Sequence, residues 1–138
     1  MAVLWPGFAL VALTAIVMAE MYRRRLGQMR RDRIPPQAVA TSVQSSRLLT
    51  DSMASDNFRN LLELPVLFYA ALVFAYLGGQ FGADVLALAW SFVGLRVVHS
   101  VIHCIGNRVV PRFLVFIAGA VVLFALWVRL ALGMSGHV

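Results

Sequence analysis

Apolar and polar positions along the chain fall into long blocks and do not alternate. Ala2 to Ala19 carries no charged side chain, and neither does Leu64 to Ala83; Val85 to Asn107 contains only Arg96, and Phe113 to Leu132 contains only Arg129 near its end. Crossing roughly 30 Å of hydrocarbon at about 1.5 Å per residue takes about 20 mostly apolar residues. The pattern therefore predicts four membrane-spanning helices, over about 2–22, 57–78, 83–107 and 111–133, with one polar loop over about 23–56. Glycines mark the turn at Gly78-Gly79-Gln80-Phe81-Gly82, and Gly106 and Pro111 bound the next one. The fold class is all-α and integral to the membrane, a four-helix transmembrane bundle in a single domain.

Composition sharpens this picture. Of 138 residues 61% are hydrophobic and 13% charged, against roughly 45–50% and about 25% in a soluble domain, and the mean hydropathy is +0.82. A typical water-soluble enzyme is excluded. All twelve basic residues are arginine against six acidic ones, for a net charge of +6.

Their placement sets an orientation. Arg23, Arg24 and Arg25 follow the first apolar run, whereas a cleaved signal peptide has its positive charge ahead of it; the first helix is read as uncleaved. The first connection holds eight arginines, Arg23 to Arg59, the second none, and the third Arg108 and Arg112. The positive-inside rule then puts the first and third connections in the cytoplasm and both termini outside. Juxtamembrane arginines that fix topology and touch anionic lipid headgroups account for the basic cluster, so membrane lipid is expected as a partner and nucleic acid is not. The lone cysteine, Cys104, cannot form an intramolecular disulfide and reads as a small packed residue.

Ionisable groups at membrane depth cost about 2.5–3.5 kcal/mol on insertion scales, so each requires a partner or a task. Asn60 and Glu63 share a helical face, and Arg59 reaches it through its i,i+4 relation to Glu63. Arg96, His99 and His103 form one stripe at i, i+3 and i+7. Pro111-Arg112 opens the fourth helix. In the predicted orientation these groups meet at the cytoplasmic leaflet and form a polar pocket. Several guanidinium groups against one carboxylate favour a mainly anionic ligand, and a small zwitterionic molecule with several carboxylates fits. Other readings stand beside this one: Asn60 and Glu63 as interhelical hydrogen-bonding glue, His99 with His103 as a metal pair that lacks a third ligand, and Arg96 with Glu63 as an ion pair that is structural or walls a site. No metal site is assigned.

Two motifs resemble a known family, the membrane-associated proteins in eicosanoid and glutathione metabolism (MAPEG). Arg59-Asn60-Leu61-Leu62-Glu63-Leu64-Pro65 is similar to the family's Asn-x-x-Glu followed by proline at the start of helix two, and Arg96-x-x-His99-x-x-x-His103, with Arg112 nine residues on, is similar to the series of its prostaglandin E synthase branch. The stretch Asn57 to Tyr69 looks most like the small bacterial members, which implies a bacterial inner membrane. The resemblance implies a homotrimer that binds glutathione between subunits and acts as a transferase or peroxidase on lipophilic electrophiles. By motif, Arg112 would stabilise the thiolate as the catalytic residue, and Arg59, Asn60, Glu63, Arg96, His99 and His103 would bind the tripeptide. His103 stands where tyrosine is common, and Phe113 and Phe116 replace hydroxyl-bearing residues, so mammalian eicosanoid substrates are not carried over. The competing expectation is a non-catalytic trimeric membrane protein that binds a lipid headgroup or another anion.

Overall fold

The computed structural model describes residues 2–106 and 108–135. After a short 3₁₀ turn at Ala2–Leu4, helix α1 runs over Trp5–Arg31. The polar connection holds a second 3₁₀ turn, Pro36–Val39, and a short helix α2, Ser42–Leu48. Then come α3 (Met53–Asn60), α4 (Leu64–Leu77), α5 (Ala83–Ile105) and α6 (Val109–Ser135). No strand occurs among the described residues. Four helical stretches, Ala2–Arg31, Met53–Leu77, Ala83–Ile105 and Val109–Ser135, are long and apolar enough to cross a membrane.

Two expectations change. The first helix does not stop near residue 22; it continues to Arg31, because charged arginine is a good helix former and nothing before Asp32 breaks the backbone pattern. The connection it leaves is partly helical, with Thr41 closing a capping box on Gln44 at the start of α2. The second span begins earlier than residue 57, at Met53, and is interrupted. Proline cannot donate a backbone hydrogen bond and its ring crowds the carbonyl four residues back, so Pro65 disturbs the helix at Leu61. Residues 61–63 form a turn in which Leu62 N–H donates to Arg59 and Leu61 N–H is shared between Asn57 and Phe58, while Glu63 leaves the helical region with φ −92° and ψ −93°. Asn107, the expected end of the third span, lies outside the described residues, as do Met1 and 136–138 at the termini.

The core is a narrow apolar seam. Along α6 the buried positions are Gly119, Leu123, Leu126 and Leu130, a one-sided stripe spaced by four, three and four. It packs on α5, where Val85, Ala89, Phe92 and Val93 are buried, and this is the most extensive helix pairing. Phe68 of α4 stacks on Phe92 at 4.6 Å between ring centroids, and Leu10 and Val17 of α1 complete the cluster. Large apolar side chains elsewhere point outward, Leu77 and Ile105 among them, each more than three-quarters exposed. Water does not tolerate an apolar surface of that extent; lipid does.

The two ends of the bundle differ. At one, α4 and α5 meet α6 through buried Gln80, whose amide donates to the Leu130 carbonyl at 2.9 Å, and through an ion pair between Asp84 and Arg129. Arg129 thus has a partner within the bundle. At the other end α1 finishes, α3 begins, α5 finishes and α6 begins, and most of the arginines gather there. We call this the arginine end.

A polar cleft at the arginine end

The deepest polar group on α5 is Arg96, only 1% exposed. Its guanidinium lies between two rings, 5.1 Å from the centroid of Phe92 and 5.0 Å from that of Phe116, and Nη2 points at the Phe116 carbonyl at 3.5 Å. Gly119 makes room for it, since a Cβ there would stand 2.8 Å from Nη2. Nε and Nη1 have no hydrogen-bond partner among the described residues. Cation–π contact offsets part of the desolvation cost of such a group.

One and two turns further along α5 stand His99 and His103, both buried, with ring centroids 5.7 Å apart. His103 Nε2 lies 3.3 Å from Nη1 of Arg112 in the first turn of α6. With that guanidinium donating, the imidazole nitrogen is an acceptor, which fixes the neutral tautomer with the proton on Nδ1. Asn60, His99, Val109, Arg112, Phe113 and Phe116 line a cleft of about 230 Å³. The structure therefore brings Asn60, His99 and Arg112 together at one opening, with His103 behind Arg112.

Three of the sequence candidates do not join them. Arg59 is exposed on the other side of α3, where it borders a separate cavity. Glu63 is exposed as well, because the interruption before Pro65 removes the regular i,i+4 relation that would hold it beside Arg59. No salt bridge joins Glu63 to Arg96 among the described residues; Phe92 and Phe116 take the place of that carboxylate. Phe116 also stands between Arg96 and the cleft, so Arg96 backs the site and does not open into it. Among the described residues no group of three His, Cys, Asp or Glu side chains is placed to hold a metal ion.

A second polar cluster supports the cleft from behind. Asn57, fully buried, accepts from the Ser100 hydroxyl at 3.4 Å and donates toward the Cys104 sulfur at 3.5 Å. Arg24 of α1 donates to the Cys104 carbonyl at 3.0 Å, capping the carbonyl end of α5. Cys104 is thus a packing and acceptor position that ties α1, α3 and α5 together. Ser100 lies on the Arg96 stripe at i+4 and Asn57 lies three residues before Asn60, so both were readable as continuations of the two polar faces.

Four membrane-crossing helices with a polar cleft at one interface define a multi-pass membrane protein. The chain belongs to the MAPEG family, whose model matches residues 3–132. Comparison with curated proteins and with solved structures yields no match.

Proposed function

We propose that this protein is a glutathione-dependent transferase or peroxidase of the membrane, working as a homotrimer on lipophilic electrophiles. The carrying observation is the Arg112 guanidinium at the mouth of a cleft shared with Asn60 and His99 and backed by His103. A free thiol has a pKa of about 8.5. A fixed guanidinium favours the thiolate, each unit of depression being worth about 1.4 kcal/mol. In the transferase reaction that thiolate forms a C–S bond to the electrophile while the leaving group departs with its electron pair. In the peroxidase reaction it attacks the outer peroxide oxygen, forming an S–O bond as the O–O bond breaks and the alkoxide leaves as the alcohol; a second glutathione then displaces that oxygen as water and forms the disulfide. Phe113 and Phe116 give the acceptor an apolar wall.

The size of the cleft favours assembly. At about 230 Å³ it is smaller than the roughly 300–1,000 Å³ of pockets that enclose drug-sized ligands. Exposed Glu63, three residues after Asn60, is a group for which a neighbouring copy supplies surroundings, and the outward apolar faces leave ample area for such a contact. Asn60 and His99 serve as hydrogen-bonding groups for the tripeptide, and the positive-inside rule keeps the arginine end in the cytoplasm, where a soluble thiol is available.

The test is conjugation of glutathione to a chlorodinitrobenzene-type acceptor in detergent, comparing the unsubstituted protein with Arg112→Ala, alongside thermal stabilisation by glutathione. Turnover should fall by at least a hundredfold on losing a charge that acts on the reacting sulfur. Unchanged turnover in Arg112→Ala refutes the assigned role. Absence of both turnover and glutathione-induced stabilisation favours a non-catalytic membrane protein that holds another anion.

A further inference from the structure

A second cavity lies across α3 from the cleft. It measures about 360 Å³ and sits between α1, α2 and α3. Two guanidinium groups, Arg25 and Arg59, and two carboxylates, Asp51 and Asp56, line it, with Ser45 and Ser55 among several hydroxyl groups. Arg25 donates to the Ser45 hydroxyl at 2.8 Å, and Ser52 donates to Asp56 at 2.8 Å. These bonds fix one cation on one wall and one anion on the other. Asp51 is also 3.5 Å from Arg24.

Depth places this cavity among lipid headgroups. The span Met53–Leu77 has 25 residues, and about 20 suffice for the hydrocarbon, which leaves roughly five at the α3 end, the stretch that carries Ser55 and Asp56. On α1, Arg25 stands six residues beyond Ala19, the last residue of its uncharged run, about 9 Å further along the axis.

Charge decides the kind of headgroup. The arginine end is strongly cationic, but in the neighbouring groove on α1, lined by Arg23, Arg24, Arg31 and Asp51, the arginines are already paired, Arg23 and Arg24 with Glu20 and Arg31 with Asp32. The larger cavity is lined by two guanidinium groups and two carboxylates, with Asp56 outside any salt bridge among the described residues, and so offers partners of both signs to one ligand.

We propose that this cavity holds the headgroup of a phosphoethanolamine lipid, with the phosphate on Arg25 and Arg59 and the ammonium on Asp51 and Asp56. The primary ammonium supplies N–H donors that a quaternary choline lacks, and the surrounding hydroxyl groups complete the phosphate's hydrogen bonds. The site is separate from the glutathione cleft and stands whether or not that reading holds.

The experiment uses the full chain in detergent doped with one lipid at a time, reading apparent affinity from the dependence of the melting temperature on lipid concentration. Phosphatidylethanolamine should stabilise the protein at lower concentration than phosphatidylcholine or phosphatidylglycerol. Arg25→Gln and Asp56→Asn should each weaken that effect about tenfold, the usual scale for losing one charge-assisted hydrogen bond, while Arg31→Gln, outside the cavity, leaves it unchanged. Asp56→Asn keeps the Arg25–Ser45 bond and serves if Arg25→Gln fails to fold. A preference for phosphatidylglycerol overturns the proposal in favour of a simple anion site. Equal stabilisation by soluble phosphoethanolamine overturns the lipid as source, and retention of the preference in Asp56→Asn overturns the assignment of the ammonium.

Discussion

Gly119→Ala offers the sharpest test of how Arg96 is housed. The added methyl carbon would stand 2.8 Å from Nη2 and 3.5 Å from both Cζ and Nε of Arg96. An exposed arginine would swing away at little cost. Here the guanidinium is 1% exposed and flanked by the Phe92 and Phe116 rings at 5.1 and 5.0 Å, so it moves only by giving up ring contact or by parting α5 from α6. Overpacking of this kind costs about 1–3 kcal/mol. For a chain of this size that lowers the melting temperature by roughly 4–12 °C. The assay is thermal unfolding in detergent of Gly119→Ala, Arg96→Met and the double variant. Because methionine lacks the planar head, the alanine should cost at least about 1 kcal/mol less in its presence, a coupling of the size that contacting residues show. Strict additivity, or a single variant that melts with the unsubstituted protein, would refute the steric reasoning.

Three more outcomes follow from the same geometry. Gln80→Leu, which removes the buried amide that donates to the Leu130 carbonyl, should lower stability by about 0.5–1.5 kcal/mol, the net worth of one hydrogen bond, since that carbonyl keeps its helical partner within α6, measured by unfolding in a denaturing detergent series. Asn57→Leu keeps the volume but strips the partner from Ser100; a loss of about 1–3 kcal/mol in the same assay is expected, and no loss would mean the contact carries nothing. Under the proposed function, His103→Phe should reduce glutathione turnover by roughly ten- to a hundredfold while the fold persists, since it removes the ring nitrogen that positions Arg112.

Much of this architecture is written in the spacing of charges. The apolar blocks locate four spans because hydrocarbon tolerates few exceptions, and the His99, His103 and Arg112 association follows from helical period plus a short connection. What eluded the pattern has physical causes. Arginines 23 to 31 look like loop by polarity, yet polarity alone does not end a helix. Pro65 announces an interruption, but only the backbone tells which residues absorb it, and because Glu63 does so its regular i,i+4 relation to Arg59 is lost. Phe92 as a neighbour of Arg96 is readable at i−4; Phe116 is not, since it depends on the register of α6 against α5.

The housing of Arg96 also constrains how the chain is made. Helix α5 carries an arginine and two histidines inside an otherwise apolar run, so by itself it partitions poorly into lipid. Beyond the Phe92 ring of its own helix, its guanidinium finds a second ring, a carbonyl and the space above Gly119 on α6. Helices α5 and α6 therefore enter the bilayer most favourably as a preformed hairpin, released after residues beyond Gly119 have left the ribosome. A premature stop before that point would leave the Arg96 guanidinium without the contacts that α6 supplies.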